Sequence, residues 1–292
     1  MSAFSENRRR ILSLWLPRLP IDRIKRKLRK TLSGEAVIAS REENASNPAN
    51  PVDGPSIVVI RQDNMLRISA LDDAAAHFGL AVGLPLANAR AICLDVQVYD
   101  ADEAADAAAL NAIAEWCDRF TPLVALDPPH GLFLDITGCA HLFGGEAAMM
   151  NLVCAGLTAQ GFVVSGAIAA TAVCARTLTR HVHGRIVRAG EEAAAVGSLP
   201  VSALGADMSV VTGLRRAGLK TIGEVAARER HEIAARFGAA FTTLLEQALG
   251  YSDAPISPRK PLPDYIVEKR FAEPVVTEAR SEERRVGKEC SS

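Results

Sequence analysis

The sequence predicts an α+β protein of more than one domain, and three observations lead to this prediction. The chain has 292 residues, more than the roughly 100–200 that a single core usually serves. Short β-rich runs alternate with helical patterns as far as about residue 198, and helical patterns alone follow as far as residue 250. Apolar residues make up 49% and charged residues 23% of the chain, a composition typical of globular proteins.

The first part of the chain predicts a strand, a helix and a hairpin. The apolar run Ile11–Leu16 ends at a proline, as a buried strand does. Residues 21–32 are basic and suit a helix. Residues 41–56 are rich in Asn, Pro and Gly without any period, which predicts a loop. The β-rich runs Ser56–Ile60 and Met65–Ser69 then flank a short polar turn, which predicts a hairpin.

The next part repeats the alternation of helices and strands. Apolar residues recur every three or four positions in Asp102–Phe120, which predicts a helix with one buried face. Two short apolar runs, Leu123–Leu126 and Gly131–Ile136, lie on either side of a proline-containing turn and predict paired antiparallel strands. The remaining predicted elements are a helix over 146–160, a strand over 162–169 and a helix over 171–181.

Composition also limits the classes of function. No apolar run reaches the roughly 18 residues of a membrane span, so we expect a cytoplasmic protein without a membrane partner. The formal charge of −1 argues against a protein that coats nucleic acid with its whole surface. The cysteines are too widely spaced for a zinc site and are expected to be free thiols: Cys93, Cys117, Cys139, Cys154, Cys174 and Cys290.

Three segments together carry a family resemblance. They read WLPRLPIDR at 15–23, HFGLAVGLPLANAR at 77–90 and ALDPPHGLFLDITG at 125–138. In this order and spacing they resemble the Y-family translesion polymerases, and within them most closely the ImuB-like branch. The resemblance covers roughly residues 11–275.

The resemblance implies a domain organisation. It predicts a polymerase palm with inserted fingers, followed by a small all-α helix-hairpin-helix thumb and a little finger that is cut short. The implied ranges are 8–16 and 97–190 for the palm, 17–96 for the fingers, 191–250 for the thumb, and 251–279 for a linker and the start of the little finger. Residues 280–292 are polar and share no pattern with what precedes them, which predicts a tail that is not native to the fold.

The metal ligands of such a palm are largely missing. An active palm holds two magnesium ions about 4 Å apart on carboxylates from separate strands. The resemblance places the first carboxylate near Leu16, yet no acidic residue lies between Ser13 and Ile21. Asp127 stands at the second position, but Pro128 replaces the neighbouring glutamate. Two of three ligands are therefore absent, so we predict no catalytic residues and no metal cofactor, and Asp127 becomes a vestigial palm residue or a backbone cap of its turn.

The nucleotide side of the site is depleted as well. Asp73 and Ala76 stand where the family has a tyrosine and an arginine against the sugar and triphosphate, and an aspartate would repel a triphosphate. Thr171 and Ala172 replace the family's asparagine–lysine pair, and Arg176 is a partial substitute for the lysine.

Two further aspartates are candidate replacements for the missing ligands. Asp22 comes too late in its segment to reach the metal position without a shift of register. Asp135 precedes Thr137-Gly138 at the end of a strand and is expected to be a turn residue.

The thumb-like segment supplies candidate contacts to DNA. Residues 214–225 resemble the second half of a helix-hairpin-helix unit, in which backbone amides and basic side chains grip phosphates. The candidate phosphate contacts are Arg215, Arg216, Lys220 and Thr221. A solvated helix face explains the basic residues equally well, and the hairpin, placed at 206–208, lacks the usual glycines. The basic run at 23–30 has the same two interpretations, contact with DNA or an acidic partner on one side and a solvated surface on the other.

Two functions follow from these residues. The first is a non-catalytic scaffold of error-prone translesion synthesis in DNA repair. The resemblance implies the partners of such a scaffold: DNA, an error-prone replicative-type polymerase, a recombinase-like accessory protein and the sliding clamp. The alternative is an active Y-family DNA polymerase that uses magnesium. An unrelated metabolic enzyme is disfavoured, because the sequence has no Gly-rich phosphate loop and no nucleophile elbow.

Overall fold

The computed structural model describes residues 9–39, 54–182 and 184–259, with the backbone alone for residues 32–39. In chain order, the elements up to residue 100 are β1 (Ile11–Trp15), α1 (Leu19–Ala39), β2 (Ser56–Gln62), β3 (Met65–Leu71), α2 (Asp73–His77), α3 (Leu86–Ile92) and β4 (Gln97–Asp100). Those up to residue 186 are α4 (Glu103–Cys117), β5 (Val124–Asp127), β6 (Gly131–Asp135), α5 (Glu146–Ala159), β7 (Ser165–Ala169), α6 (Ala172–His181) and β8 (Arg185–Ile186). The last are α7 (Glu192–Val196), α8 (Met208–Arg216), α9 (Ile222–Ala226), α10 (Arg230–Phe237) and α11 (Ala239–Ala248), with 3₁₀ turns at Ala140–Phe143 and Val201–Leu204.

The larger sheet has the strand order β5-β6-β1-β7-β8, with β1 in the centre. β1 pairs antiparallel with both β6 and β7, and β8 adds to β7 in parallel. β1 is buried on both faces, which explains its nearly continuous apolar sequence. This sheet is the structural centre of the described chain.

Two hydrophobic clusters cover the two faces of this sheet. On one face Leu12, Leu14 and Leu134 pack among buried residues of α4 and α5. On the other face Ile11 and Ala167 pack among residues of α6 and of the later helices α7 to α11. Because successive side chains of a strand alternate between faces, the odd-numbered residues of β1 all point toward α6.

The smaller sheet has the order β3-β2-β4 and contains the predicted hairpin. Asp63 and Asn64 form its turn with φ of 47° and 60°, the left-handed geometry that Asp and Asn tolerate in two-residue hairpins. α1 connects the two sheets: Leu19 is buried in the core of the larger sheet, and Ile21 packs with Val58 of the smaller one.

The structure confirms the α+β class and corrects several boundaries. The helix predicted over 102–120 is Glu103–Cys117, with Asp102 as its N-cap, and the strand predicted over 162–169 begins only at Ser165. The sequence did not predict β4 or β8. Most of the predicted 41–56 loop and the whole 280–292 tail lie outside the described residues. Within the described part of the chain, no helix is long and apolar enough to cross a membrane.

Candidate functional site

The candidate site lies where β5, β6 and β1 run side by side. Gly131 is the register partner of both Trp15 and Asp127, one on each neighbouring strand. Trp15 and Asp127 therefore lie on the same face of the sheet, the face covered by α6. A Cβ atom on residue 131 would come within 2.8 Å of the Asp127 carboxylate and 2.9 Å of its carbonyl oxygen. Glycine at this position makes room for the buried acid.

Two arginines of α6 hold Asp127. Arg180 Nη2 donates to Asp127 Oδ2 at 3.1 Å, and Arg176 Nη1 lies 3.6 Å from Oδ1. Residues four apart share one face of a helix, so both guanidinium groups point at the sheet. The sequence predicted that Asp127 caps its own turn, but the structure pairs the carboxylate with these two guanidinium groups. Arg176, expected to replace a lysine toward the nucleotide, is thus an ion-pair partner of the palm aspartate.

The indole of Trp15 completes this cluster. The guanidinium carbon of Arg180 lies 4.4 Å from the centroid of the Trp15 ring, a cation–π distance. The His130 ring also contacts Trp15, with ring centroids 5.7 Å apart and an angle of 42° between the planes. Burial lowers the pKa of His130 below its ordinary value, against the opposing effect of Asp106, and the Arg180 cation lowers it further. These effects favour the neutral imidazole beside the Arg–Asp pairs.

The oxygen ligands for paired magnesium ions are not assembled here. At the expected place of the first carboxylate stand Trp15 and Leu16, and Leu16 is fully buried in the apolar core. Pro128 follows Asp127, so the turn end of this hairpin contributes a single carboxylate, and Asp135 lies at its opposite end. Among the described residues no group of three His, Cys, Asp or Glu side chains could hold a metal ion. The residues present do not fit a two-magnesium centre.

The two other candidate aspartates are engaged elsewhere. Asp22 is buried on α1, where its carboxylate accepts a hydrogen bond from the Val163 amide at 2.8 Å. Asp135 accepts from the Thr137 amide at 3.0 Å, which confirms the predicted turn role, and Arg9 lies 3.7 Å from its second oxygen.

The positions on the nucleotide side serve the packing of the chain. Asp73 pairs with Arg18, and the adjacent Asp72 accepts from Lys25 Nζ at 2.5 Å. These ion pairs tie α1 to the start of α2. Thr171 caps α6 and donates to the Gln247 carbonyl at 2.5 Å. Of the residues in these contacts only Arg18 and Lys25 are cations, and each is paired with an aspartate.

Much of the basic run at 23–30 is also used within the chain. Arg23 donates to Asp106 at 2.6 Å, Lys25 binds Asp72, and the guanidinium of Arg26 lies 4.1 Å from the Phe162 ring centroid. Lys27 and Lys30 are exposed. The first half of this run therefore holds α1 against its neighbours. The sequence predicted contact with a partner or a solvated surface, and not this role.

The four candidate DNA contacts lie close together in sequence at the end of α8 and the start of α9. Arg215, Arg216 and Lys220 are exposed, and Arg215 donates to Ser202 Oγ at 3.3 Å. The Thr221 hydroxyl caps α9 by accepting from the Glu224 amide at 3.2 Å. The amides at this end of α9 therefore already have hydrogen-bond acceptors within the chain.

The carboxylate of Glu224 is a second hydrogen-bond acceptor at this turn, and sequence reasoning missed it. Its Oε2 accepts from the amides of Lys220 at 2.6 Å and Thr221 at 3.0 Å, and these bonds lower its pKa. The spacing T-x-x-E of a capping box was the available signal. A phosphate at this turn would have to displace a carboxylate, so the basic side chains are better candidates for contact than the amides of the turn.

The hairpin of the thumb-like unit lies slightly earlier than predicted. It connects the 3₁₀ turn Val201–Leu204 to α8 and includes Gly205, whose φ of 70° is in the left-handed region. The prediction placed the hairpin at 206–208 without a glycine. Asp207 is exposed at the start of α8, and no hydrogen bond from its side chain caps the helix. The turn thus keeps one glycine, with an acidic residue beside it.

Three comparisons relate the chain to known proteins. The model of the impB/mucB/samB family (IMS) matches residues 35–180, half of the chain. The protein called Protein ImuB from Caulobacter vibrioides is 42% identical over 198 residues, which are 68% of this chain and 43% of that protein. A DNA polymerase IV from Dehalococcoides mccartyi is 26% identical over 216 residues, 70% of this chain and 54% of the relative. The chain thus spans about half the length of these curated relatives.

Solved structures agree on the fold. The crystal structure of DinB from Sulfolobus solfataricus superposes with a TM-score of 0.61 at 13% identity, covering 85% of this chain and 69% of that one. The insertion ternary complex of Dbh DNA polymerase gives a TM-score of 0.65 at 14% identity, with the same coverage. At this identity the likeness shows the Y-family polymerase fold alone. The family match, together with the motifs and the fold, shows that the chain belongs to the impB/mucB/samB family of Y-family polymerase homologues.

Proposed function

We propose that this protein is a non-catalytic Y-family homologue that binds DNA as a scaffold in error-prone translesion synthesis. The single observation that carries the proposal is the ligand set of the palm. Leu16 and Pro128 stand where carboxylates are expected, and the remaining acid, Asp127, is paired with Arg180 and Arg176. Phosphoryl transfer of this type depends on metal ions that neutralise the developing charge. Without a site for these metal ions, the Y-family fold is retained but nucleotide transfer is lost.

The similarity to Protein ImuB supports the assignment to the non-catalytic branch. The family resemblance also suggests the partners: an error-prone replicative-type polymerase, a recombinase-like accessory protein and the sliding clamp. DNA contact is supported by the thumb-like helices with their exposed Arg215, Arg216 and Lys220. A protein with these partners would act in the cytoplasm. The palm, fingers and thumb ranges given above belong to the same proposal.

Primer extension tests the loss of chemistry. The full chain is incubated with a primed template, the four deoxynucleotides and Mg²⁺, beside an active Y-family polymerase as positive control. We expect no extended product, in the wild type and in Asp127→Asn alike. Extension by the wild type that Asp127→Asn abolishes would support the alternative, an active polymerase, and would remove the proposal.

A salt-dependent DNA-binding titration tests the scaffold role. Replacing Arg215, Arg216 and Lys220 together by alanine should weaken binding and flatten the plot of log K against log [salt], because fewer counterions are released. The matched control replaces Arg119, Arg185 and Arg188, three exposed arginines outside the thumb-like helices, with the same change in net charge. An equal loss in both triple variants would show that net charge alone, and not this surface, binds DNA.

A further inference from the structure

Asp127 presents a physical problem that an ordinary palm solves with metal. Its side chain is about 11% exposed, at the edge of a closely packed sheet. A buried carboxylate without a cation or hydrogen-bond donors is strongly destabilising. Since the other ligands of a metal pair are absent, the chain has to supply the positive charge itself.

Arg180 has the position and orientation to supply it. Its guanidinium makes a direct hydrogen bond to Asp127 Oδ2 and at the same time stacks over Trp15, the residue within one position of the missing first carboxylate. The planar guanidinium suits both contacts, because it can stack on an aromatic face while its edge donates to a carboxylate. The indole of Trp15, beside the position of the missing ligand, is therefore the aromatic surface on which the Arg180 cation stacks.

The helix that carries Arg180 is fixed to the sheet. Thr179 Oγ1 lies 2.7 Å from the carbonyl oxygen of Ala175 in its own helix and 3.2 Å from that of Ser13, on the same strand as Trp15. Ser165, on the adjacent strand β7, donates to the carbonyl of Thr179 at 2.9 Å. The backbone of α6 just before Arg180 is thus held against the sheet, which places the base of the Arg180 side chain close to both the indole and the carboxylate.

We propose that Arg180, stacked on Trp15 and supported by Arg176, is an internal cation that neutralises the charge of Asp127 in place of metal ions. This palm is then independent of divalent metal. The inference rests on the proposed function, because a palm that loads magnesium at Asp127 would have to expel this guanidinium. It adds the identity of the group that replaces the metal, and a role for the retained aspartate in stability.

A double-mutant cycle on the full chain tests the pairing. Thermal unfolding is measured for wild type, Arg180→Gln, Asp127→Asn and the double variant. We expect Arg180→Gln to lower Tm by about 4–8 °C, since the buried acid loses its direct hydrogen bond and keeps only the longer contact to Arg176. The double variant should be no less stable than Arg180→Gln, because the acid that needed a cation is gone. Strictly additive losses would overturn the pairing.

Arg119 offers a matched control. It stacks over Trp116 at 4.7 Å in the same way, but its side chain is exposed and its described hydrogen bond goes to a backbone carbonyl. Arg119→Gln should change Tm by less than about 2 °C. A fall as large as that of Arg180→Gln would mean that arginine stacking on tryptophan, and not the carboxylate, is what matters.

Metal independence is tested by a magnesium titration that leaves the Asp127–Arg180 pair intact. The chain has two tryptophans, so Trp116→Phe leaves Trp15 as the reporter of the cluster. At up to about 10 mM Mg²⁺, with NaCl matched for ionic strength, we expect no saturable change in Trp15 emission and no rise in Tm. A saturable change that Asp127→Asn abolishes would overturn the inference.

The two tests separate this inference from the proposed function. Extended primer would remove both the non-catalytic role and the internal cation. Additive losses in the cycle, with no primer extension, would remove the internal cation and leave the non-catalytic role standing.

Discussion

At the scale of single residues, the candidate site depends on a glycine as much as on its charged groups. Gly131 lies between Trp15 and Asp127 in the sheet, and an added Cβ would clash with the backbone carbonyl of Asp127 as well as its side chain. Because a backbone atom cannot rotate away, the strands or the ion pair would have to shift. The close approach of Asp127 and Arg180 thus requires the smallest residue in the middle strand.

Replacement of Gly131 by alanine should therefore destabilise the protein. We expect a loss of about 1–3 kcal/mol in the free energy of unfolding, measured by urea denaturation. Gly54→Ala is the control, since its Cβ would meet only the end of the Gln97 side chain, at 3.0 Å, which can move. Equal stability of Gly131→Ala and wild type would contradict the described packing.

Asp22 gives a prediction about pH. Burial raises its pKa to about 6, against the opposing effects of the Val163 amide and nearby cations. Because the folded state holds this proton more tightly than the unfolded chain, the stabilisation is complete below about pH 4 and is lost as the pH rises through about 6. Asparagine at this position can still accept the hydrogen bond from Val163 but carries no charge.

Asp22→Asn should therefore be more stable than the wild type at pH 7, by about 1 kcal/mol. The advantage should shrink toward pH 4, where the wild-type carboxyl is protonated. Urea denaturation between these pH values measures both effects. The exposed Asp95→Asn is the control and should show neither effect; an advantage of Asp22→Asn that does not change with pH would show that ionisation is not its cause.

At the scale of elements, the segment after α11 is fastened to the larger sheet at both ends. Asp253 pairs with Arg9 at 3.0 Å. Arg259 donates to Asp118 at 2.9 Å and to Glu115 at 3.3 Å, and its amide donates to the carbonyl of Val124 on the edge strand β5 at 2.7 Å. The arginine side chain is only 14% exposed, so this pair is worth more than an ordinary surface salt bridge.

Arg259→Ala should release this segment without unfolding the sheet. We expect the amide of residue 259, which donates to the Val124 carbonyl, to exchange hydrogen about tenfold faster, as measured by NMR. The control is Arg230→Ala, which removes the ion pair of an arginine that is 74% exposed, with Glu246. Unchanged exchange in Arg259→Ala would contradict the fastening role.

The elements also show how far the sequence predicts the fold. The hairpin β2–β3 was predictable because Asp63 and Asn64 tolerate the left-handed turn, and α6 because Thr171 is a strong N-cap. β4 was missed because it has only four residues and gains its order from parallel pairing with β2, about 40 positions earlier in the chain. Local patterns carry no information about such a partner.

The sequence predicted the missing metal ligands of the site better than the side-chain contacts that the site contains. The missing carboxylates at residue 16 and at Pro128 are visible in the sequence once the resemblance is recognised. The partnership of Arg180 with Asp127 and Trp15 joins residues separated by 53 and 165 positions, and only the stacking of α6 on β1 brings them together. Because of the same long-range packing, Asp127 forms an ion pair, whereas the sequence predicted a backbone cap.

At the scale of the whole molecule, the thumb-like helices share a core with the sheet. One cluster of buried residues contains Ile11 of β1 and Leu178 of α6 together with Leu214 and Phe241 from the later helices. Such a continuous core is expected to unfold as one cooperative unit.

Phe241→Ala tests this cooperativity. The side chain is 4% exposed and lies edge-on to Phe237, so its loss should cost about 3–4 kcal/mol. Far-UV circular dichroism and Trp15 emission, again in the Trp116→Phe background, should shift to lower urea together. Met208→Ala, on an exposed side chain of α8, is the control. A shift of the first signal alone would show that the helices unfold separately from the sheet.

The most direct test of the account is a count of bound divalent ions. Electron paramagnetic resonance measures free Mn²⁺, which replaces Mg²⁺ in polymerase centres, in the presence of the chain, primed DNA and a nucleoside triphosphate. The account predicts the same free Mn²⁺ as in a mixture without protein. Loss of two Mn²⁺ ions per chain from the free signal, restored by Asp127→Asn, would contradict it.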